Sequence, residues 1–512
     1  MDYLKIGKAT ELNGRDRKIY RILEILPGFL SWSTLLLLII LSYYTPVYIA
    51  YFLLAFDVYW LLLVMYLGIH LVVSYRKLKD NIKVDWNEKL RNFNSPSGRP
   101  DWKEIHQLIV LPTAFEDLEI IRSCINSILQ DGFPTEQMIV VLAIEGRSGE
   151  AGLARAKAIE QEYGHKFKHF IYTVHPDGIE GEIKGKGANQ AWAAIEVKKK
   201  IIDKYNFDYD KILVSIFDID TIVYQGYFAK LTYVFLTVDN PYRASYQPIP
   251  LYFNNIWQAP FYSRVAASSN TFWQMMQQIR QEKLATYSSH SMTWRALVDV
   301  GFWSTKMVSE DSRIFWHCLC FYKGDYRVEP LYFPVSMDTT MDESFSKTAT
   351  TLYKQQRRWG WGVENIPYLI FNFIKNYKTM PKGKMFGLIF VQLYGFHSWA
   401  TNALIIAVIG WMPMLLGGDA FNSTVLSGNL PNITRTLMTV AMLGMVLSAV
   451  ISTLLLPPRP KNYGFWKSIT MVLQWLILPI SIITFGSIPG IEAQTRLMLG
   501  KYMGFFVTPK TR

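Results

Sequence analysis

The sequence predicts an α/β unit with a Rossmann-like, mostly parallel sheet, facing the cytosol and inserted between α-helical transmembrane segments. Three observations predict it. Short, continuously apolar, β-rich runs alternate with polar helical stretches through the middle of the chain. Long apolar stretches precede and follow that middle, and basic residues cluster where they end. Hydrophobic residues make up 50% of the 512 residues and charged residues still reach 18%, a mixture that suits a globular unit joined to several spans better than either alone.

Residues 1–25 carry Lys5, Lys8, Arg15, Arg17, Lys18 and Arg21 interleaved with acids, a charged lead too long for a secretory signal, and read as a cytosolic segment. Apolar stretches from Leu26 to Tyr43 and from Val47 to Val73, broken at Thr45-Pro46, predict a two-helix hairpin over 26–75 that returns the chain to the cytosol. Asp57 and His70 fall inside the second stretch and read as snorkelling or helix-pairing groups. Arg76, Lys77, Lys79, Lys83, Lys89 and Arg91 follow at once, making 76–104 a basic juxtamembrane linker. The net charge of +12 alone suits nucleic acid, anionic lipid or an anionic substrate. Its placement favours the bilayer, and no Gly/Arg-rich or zinc-finger pattern supports nucleic acid.

Within 105–365, Gln107 to Leu111, Met138 to Ile144, His169 to Val174 and Ile212 to Phe217 read as strands buried on both faces, so chemistry is expected where these strands end. Cys124, Cys318 and Cys320 are too few and too irregularly spaced for a disulfide framework or a structural zinc site. An interfacial helical region is expected over 366–384, then about three spans within 385–490, at 385–413, 435–456 and 467–488. The 414–433 loop has no Lys or Arg and reads as extracytosolic, whereas Arg459, Lys461 and Lys467 read as cytosolic. Three crossings then place the 491–512 tail, with Arg496, Lys501, Lys510 and Arg512, outside, against the positive-inside rule. A re-entrant stretch around Pro479 would remove the conflict.

Four constellations carry candidate chemistry. Asp218-Ile219-Asp220 ends a buried strand, and two carboxylates one residue apart suit Mg²⁺ or Mn²⁺ bridging a diphosphate, or an acidic turn. Glu310-Asp311 follows an aromatic segment, so desolvation is expected to raise the pKa of at least one acid and make a general base, or Ser309 caps a helix that the acids favour. In Gln355-Gln356-Arg357-Arg358-Trp359 the guanidiniums can neutralise a leaving diphosphate and the indole can stack on a pyranose, or the stretch anchors to lipid. Lys184-Gly185-Lys186-Gly187 precedes a helical run, Gln190 to Lys200, and can approach a phosphate, or is an exposed basic turn; its spacing is not that of a P-loop. His290, in a small-residue turn, is an acceptor or phosphate contact or a structural histidine.

Taken in order, these pieces resemble the family-2 glycosyltransferases of the GT-A fold, especially membrane-integrated members such as cellulose, chitin and hyaluronan synthases. Thr113-Ala114-Phe115-Glu116 is similar to the family's first nucleotide-contacting segment, Lys186-Gly187-Ala188-Asn189 to its Gly-Lys-Ala-Asn region, and Asp218-Ile219-Asp220 to its Asp-x-Asp. Glu310-Asp311 is similar to its base motif, and Gln355 to Trp359 to Gln-(Gln/Arg)-x-Arg-Trp. The resemblance implies that Thr113, Phe115, Glu116, Lys186, Gln355 and Arg358 serve the nucleotide-sugar donor. It further implies that Asp220 ligates the metal with Asp218 beside the nucleotide, that Asp311 is the base, and that Trp359 holds the acceptor. Where the family carries Asp-Asp-Gly-Ser, this chain has Glu145-Gly146-Arg147-Ser148, which makes Glu145 the candidate nucleotide contact and leaves the choice of nucleotide open. The implied activity is inverting transfer at the plasma membrane, because no second nucleophilic carboxylate is identifiable. The expected product is a polysaccharide made processively or, in the alternative, a singly glycosylated membrane lipid. A non-enzymatic transporter or anchor ranks below both.

Overall fold

The computed structural model describes residues 3–508. Helix α1 (Gly14–Tyr44) and helix α2 (Pro46–Lys83) form the expected hairpin, with Thr45 as the break and Pro46 at the first helical position, where its missing N–H costs nothing. Both run past the apolar stretches that predict them, and α2 continues through Arg76, Lys77, Lys79 and Lys83 as helix rather than linker. The charged lead folds back on the α/β unit: Arg313 donates to the Ile6 carbonyl (3.0 Å) and Tyr368 to the Leu4 carbonyl (3.0 Å).

Eight strands form one sheet in the order β3-β2-β1-β4-β7-β6-β8-β5. They are β1 (His106–Thr113), β2 (Met138–Glu145), β3 (His169–His175), β4 (Ile212–Ile216), β5 (Ile222–Val223), β6 (Ala244–Leu251), β7 (Ser291–Thr293) and β8 (Arg327–Ser336). The four strands legible in the sequence are the parallel half, β3 to β4. Alternate residues feed two cores: Ile109, Leu111, Val140 and Leu142 pack on one face, Leu108, Val110, Ile139 and Val141 on the other, which is why these runs are apolar without interruption. The other half departs from parallel. The three-residue β7 runs antiparallel to both β4 and β6, and β5 runs antiparallel to β8. Pro248, Pro250, Pro330 and Pro334 interrupt the strand pattern of β6 and β8, whose register shifts between Gln247 and Ile249.

The helices that bear on the site are α3 (Lys186–Val197), α4 (Phe261–Ile279), α5 (Glu310–Phe321) and α6 (Phe345–Gly360). Beyond them lie α7 (Lys382–Ala407), α8 (Val425–Leu455) and α9 (Phe465–Met498). Four helices, α1, α2, α8 and α9, are long and apolar enough to cross a membrane, and α7 joined to Ile409–Leu416 through a 42° bend makes a fifth candidate. Ile405 of α7 and Ile409 just beyond it pack with Leu35, Leu38, Ile49 and Leu53 of the hairpin, and Ile491 of α9 joins the same cluster. Helix α8 starts beside Ala50 through Leu430 and ends with Ile451 beside Leu71 and Leu78, so it runs back along α2. Asp57 of α2 accepts a hydrogen bond from Thr434 of α8 (2.7 Å), the helix-pairing role, and His70 Nδ1 meets the Tyr66 carbonyl of its own helix (2.7 Å).

Candidate active site

Strand β4 carries the chain into Phe217-Asp218-Ile219-Asp220 at the edge where β1 and β2 also end. The two aspartates take different partners there. Asp218 accepts from Ser288 Oγ (2.5 Å) and pairs with Lys186 Nζ (2.7 Å). Asp220 is fully buried, and its Oδ2 accepts from the Asp338 backbone N–H (3.0 Å) just beyond β8. Asn254 joins the two chain segments, donating to the Asp220 carbonyl and to Asp338 Oδ1, both at 2.8 Å.

Helix α3 begins at Lys186 rather than at Gln190, which buries the lysine stem and aims its ammonium at a second acid. Both carboxylate oxygens of Asp311, at the start of α5, lie 3.0 Å from Lys186 Nζ. One cation thus sits between Asp218 and Asp311. Burial opposes its charge, but Asp218, Asp311 and Glu310 outweigh burial and hold the ammonium well above its ordinary pKa. The desolvated acid of the pair is Glu310, pushed up to about 8 by burial first and by the charge of Asp311 next. Ser309 stands at the N-cap of α5 and the two acids fill its first turn, as expected of a capped helix, but the Ser309 side chain makes no cap hydrogen bond; its backbone N–H donates to Glu364 (3.1 Å), which also accepts from Trp361 Nε1 (2.9 Å).

The Gly-Lys-Gly spacing has a packing reason as well. A methyl carbon built on Gly187 would lie 3.0 Å from the Ser304 carbonyl and 3.1 Å from Glu310 Cβ, and one on Gly185 would lie 2.6 Å from the Phe505 ring, so a side chain would crowd α5 at the first position and clash with the C-terminal tail at the second.

Helix α6 brings the third constellation. Gln355 Oε1 accepts from Thr340 Oγ1 (2.6 Å), Arg357 pairs with Glu492 (2.6 Å), and the Arg358 guanidinium lies 4.9 Å over the Phe505 ring with its Nε unpartnered among the described residues. Trp359 is half-buried and tilted against Tyr252 at 6.1 Å. The Tyr252 phenol is pushed up by burial first and by the charges of Asp218 and Asp220 next.

The ends of β1 and β2 form the adjoining wall. Glu116 closes the turn after β1 by accepting from Thr113 Oγ1 (2.8 Å) and the Ala114 N–H (2.7 Å). Phe115 is exposed, with the Arg147 guanidinium 5.5 Å over its ring. Glu145 pairs with Arg147, and burial raises its pKa. Beside it a cavity of about 230 Å³ is lined by Glu145, Arg147, His175, Glu182 and Lys184 and leads to Gly185. His290 is fully buried, its Nδ1 donating to the Tyr287 carbonyl (2.8 Å), and burial lowers its pKa. It lies beneath the site rather than in the cleft.

Lys186, Asp218 and Asp311 therefore meet directly. Asp220 joins them through the Asp218–Asp220 turn, and Trp359 and Arg358 join through Tyr252 and Phe505. Sequence reasoning missed Tyr252, Asn254, Ser288, Asp338 and Phe505. Only Asp338 had a usable signal, an acid directly after an apolar strand run, the same signal that marks Asp218. Among the described residues no group of three His, Cys, Asp or Glu side chains is placed to hold a metal unaided. The carboxylates of Asp218 and Asp220 are hard oxygen donors, and Mg²⁺ or Mn²⁺ is commonly held by one or two carboxylates plus phosphate oxygens, so the residues fit a cation shared with a diphosphate.

The family described as glycosyl transferase family group 2 matches residues 213–485, more than half of the chain. Among solved structures, the chain is similar to the mannosyltransferase PcManGT from Pyrobaculum calidifontis in complex with GDP-Man and Mn²⁺, at 12% identity and a TM-score of 0.42, over 78% of this chain and 98% of that one. It is also similar to residues 1–349 of S. aureus TarS in complex with UDP-GlcNAc, at 12% identity and a TM-score of 0.35, over 68% of this chain and 91% of that one. No curated protein matches the sequence.

Proposed function

Because this chain belongs to glycosyl transferase family group 2, we propose that it is a multi-pass plasma-membrane enzyme that transfers a sugar, with inversion, from a nucleotide diphosphate on the cytosolic side to an acceptor hydroxyl at the bilayer. The observation that carries this reading is the Lys186 ammonium held between Asp218 and Asp311 (2.7 and 3.0 Å), which draws three separate sequence motifs into one charge cluster.

In this reading the wall made by Phe115, Glu145 and the neighbouring cavity receives the nucleoside, and Lys186 and Arg358 face the diphosphate. Asp220 and Asp218 would hold Mg²⁺ or Mn²⁺, which when bound supplies positive charge against the leaving diphosphate. Asp311, whose side chain keeps 22% exposure, is the acid that can reach an acceptor hydroxyl and accept its proton, whereas the buried Glu310 backs it. Arrival of a diphosphate offers Lys186 an alternative anion, so donor binding frees Asp311 for that proton. Trp359, half-buried on Tyr252, offers the acceptor sugar a face. His290, being enclosed, supports the floor and makes no acceptor contact. The enzyme is read as processive, building a polysaccharide; single transfer to a membrane lipid is the second reading.

The experiment incubates purified protein with common sugar nucleotides and Mn²⁺, reads nucleoside diphosphate release, and sizes the product. Release with chain growth supports the first reading, and one sugar per lipid supports the second. No release with any donor would overturn both.

A further inference from the structure

Helix α9 is long and apolar enough for a span, yet it touches the catalytic unit at several points along its length, while its second half also packs on α1 and α7, where Ser31 donates to Gln494 (2.7 Å) and Ser487 donates to the Trp399 carbonyl (2.9 Å). Just before it, Tyr463 stacks on Trp257 (6.4 Å). Gln474 accepts from Arg264 of α4 (2.6 Å) and Trp475 stacks on Phe272 of α4 (5.7 Å). Phe485 stacks on Tyr262 (5.6 Å), and Glu492 takes Tyr353 Oη (2.7 Å) and Arg357 (2.6 Å), both from α6. At its end the Arg21 guanidinium, from α1, donates to the Leu497 and Met498 carbonyls (2.8 and 2.5 Å). A 34-residue helix is about 50 Å long, so one that crossed the roughly 30 Å hydrocarbon core would carry one end far from this unit.

The exposed face of the helix is apolar, which does not suit a protein surface in water. The side chains it buries are mixed, Gln474, Ser481, Ser487 and Gln494 beside Met471, Trp475, Ile491 and Leu497; those it exposes include Phe465, Trp466, Leu473, Leu476 and Ile480. Its path is bent where Pro479 and Pro489 interrupt the ladder and where Ile483–Ser487 widens into a π turn. The basic residues Arg459 and Lys461, both exposed, and Lys467 stand at its start.

We propose that α9 does not cross the bilayer but lies along the leaflet next to the catalytic unit, its exposed face in the boundary between headgroups and acyl chains, with anionic phospholipid headgroups on Arg459, Lys461 and Lys467. The reading of the chain as a membrane protein underlies this. The crossings are then α1, α2, α7 with its bent extension, and α8, an even number. The tail emerges on the catalytic side, where Phe505 reaches Gly185. That removes the charge conflict at Arg496 and Lys501; Lys510 and Arg512 lie outside the described residues. Through Glu492 the lipid-seated helix braces α6, so the bilayer surface fixes the height of Trp359.

The test reconstitutes the full chain in nanodiscs and spin-labels single cysteines, one at a time, in Phe465→Cys, Leu473→Cys, Leu476→Cys, Ile480→Cys and Ile488→Cys; Cys124, Cys318 and Cys320 are buried. Collision with oxygen against a water-soluble nickel complex gives depth, and no donor or turnover is needed, so failure of the proposed activity does not touch the result. All five labels are expected at one shallow depth. A depth that rises to the bilayer centre and falls again along the helix would overturn the proposal, as would labels shielded from both reagents, the mark of a second protein copy on this face. The label in Phe465→Cys is expected deeper in anionic than in zwitterionic discs; equal depth overturns the headgroup assignment. In sealed liposomes an impermeant maleimide should reach Lys501→Cys from the same side as Lys199→Cys, and labelling from opposite sides overturns the topology.

Discussion

Replacing Lys186 by methionine removes the cation that Asp218 and Asp311 share while keeping most of the stem's volume. Taking one partner from a fully buried pair costs about 3–5 kcal/mol, because the remaining charge is left uncompensated. Here the two acids keep 25% and 22% of their side-chain exposure, and water reaches them, so about 2 kcal/mol is the better figure. For a unit of this size that lowers the unfolding temperature by roughly 4–8 °C. Donor affinity falls too. A charge-assisted hydrogen bond to a diphosphate contributes about 1.5–3 kcal/mol, equivalent to a ten- to hundredfold rise in Kd. Thermal unfolding in detergent, followed with and without nucleoside diphosphate and Mn²⁺, reads both effects in one series. A Lys186→Met protein that melts with the parent, and gains as much from the nucleotide, would refute the assignment of Lys186 as the link between donor and base.

Asp311→Asn keeps the size of the side chain and leaves Lys186 paired with Asp218; nucleotide binding by calorimetry should survive while product formation falls by at least a hundredfold. Asp220→Ala should abolish the Mn²⁺-dependent part of donor binding, seen as identical titrations with and without the cation. The pH dependence of stability carries the mark of Glu310. Its folded pKa, about 8, is raised above the ordinary 4.5, so the stability it contributes is fully present below about 4.5 and is lost as pH rises through about 8. Glu310→Gln should flatten that decline, and unfolding temperatures of the two proteins between pH 5 and 9 should diverge most at the alkaline end.

The parallel half of the sheet was legible because each of its strands is buried on both faces and therefore apolar without a gap. The other half was not, because β5 and β7 are too short to show a period and β6 and β8 carry prolines that ordinarily argue against strands. The acids were legible for a related reason: Asp218 interrupts an apolar run at the point where a buried strand must end. Asp338 does the same after β8 and was passed over because the strand ahead of it was not recognised. Tyr252 and Ser288 carry no signal in one sequence; only the fold brings them beside Asp218.

The lysine–glycine turn shows why spacing alone under-determines a site. From sequence, Gly185 and Gly187 suggest a backbone clearing space for phosphate. The structure supplies a more immediate cause for both, since Glu310 occupies the space beside Gly187 and Phe505, more than three hundred residues along the chain from Gly185, occupies the space beside the other. These contacts set where Lys186 stands between Asp218 and Asp311. A glycine that would serve a ligand in isolation here serves the approach of the base-bearing helix on one side and of the C-terminal tail on the other. The position of the catalytic charges thus depends on how the far end of the chain returns to the sheet, and that return depends on α9 remaining at the membrane surface.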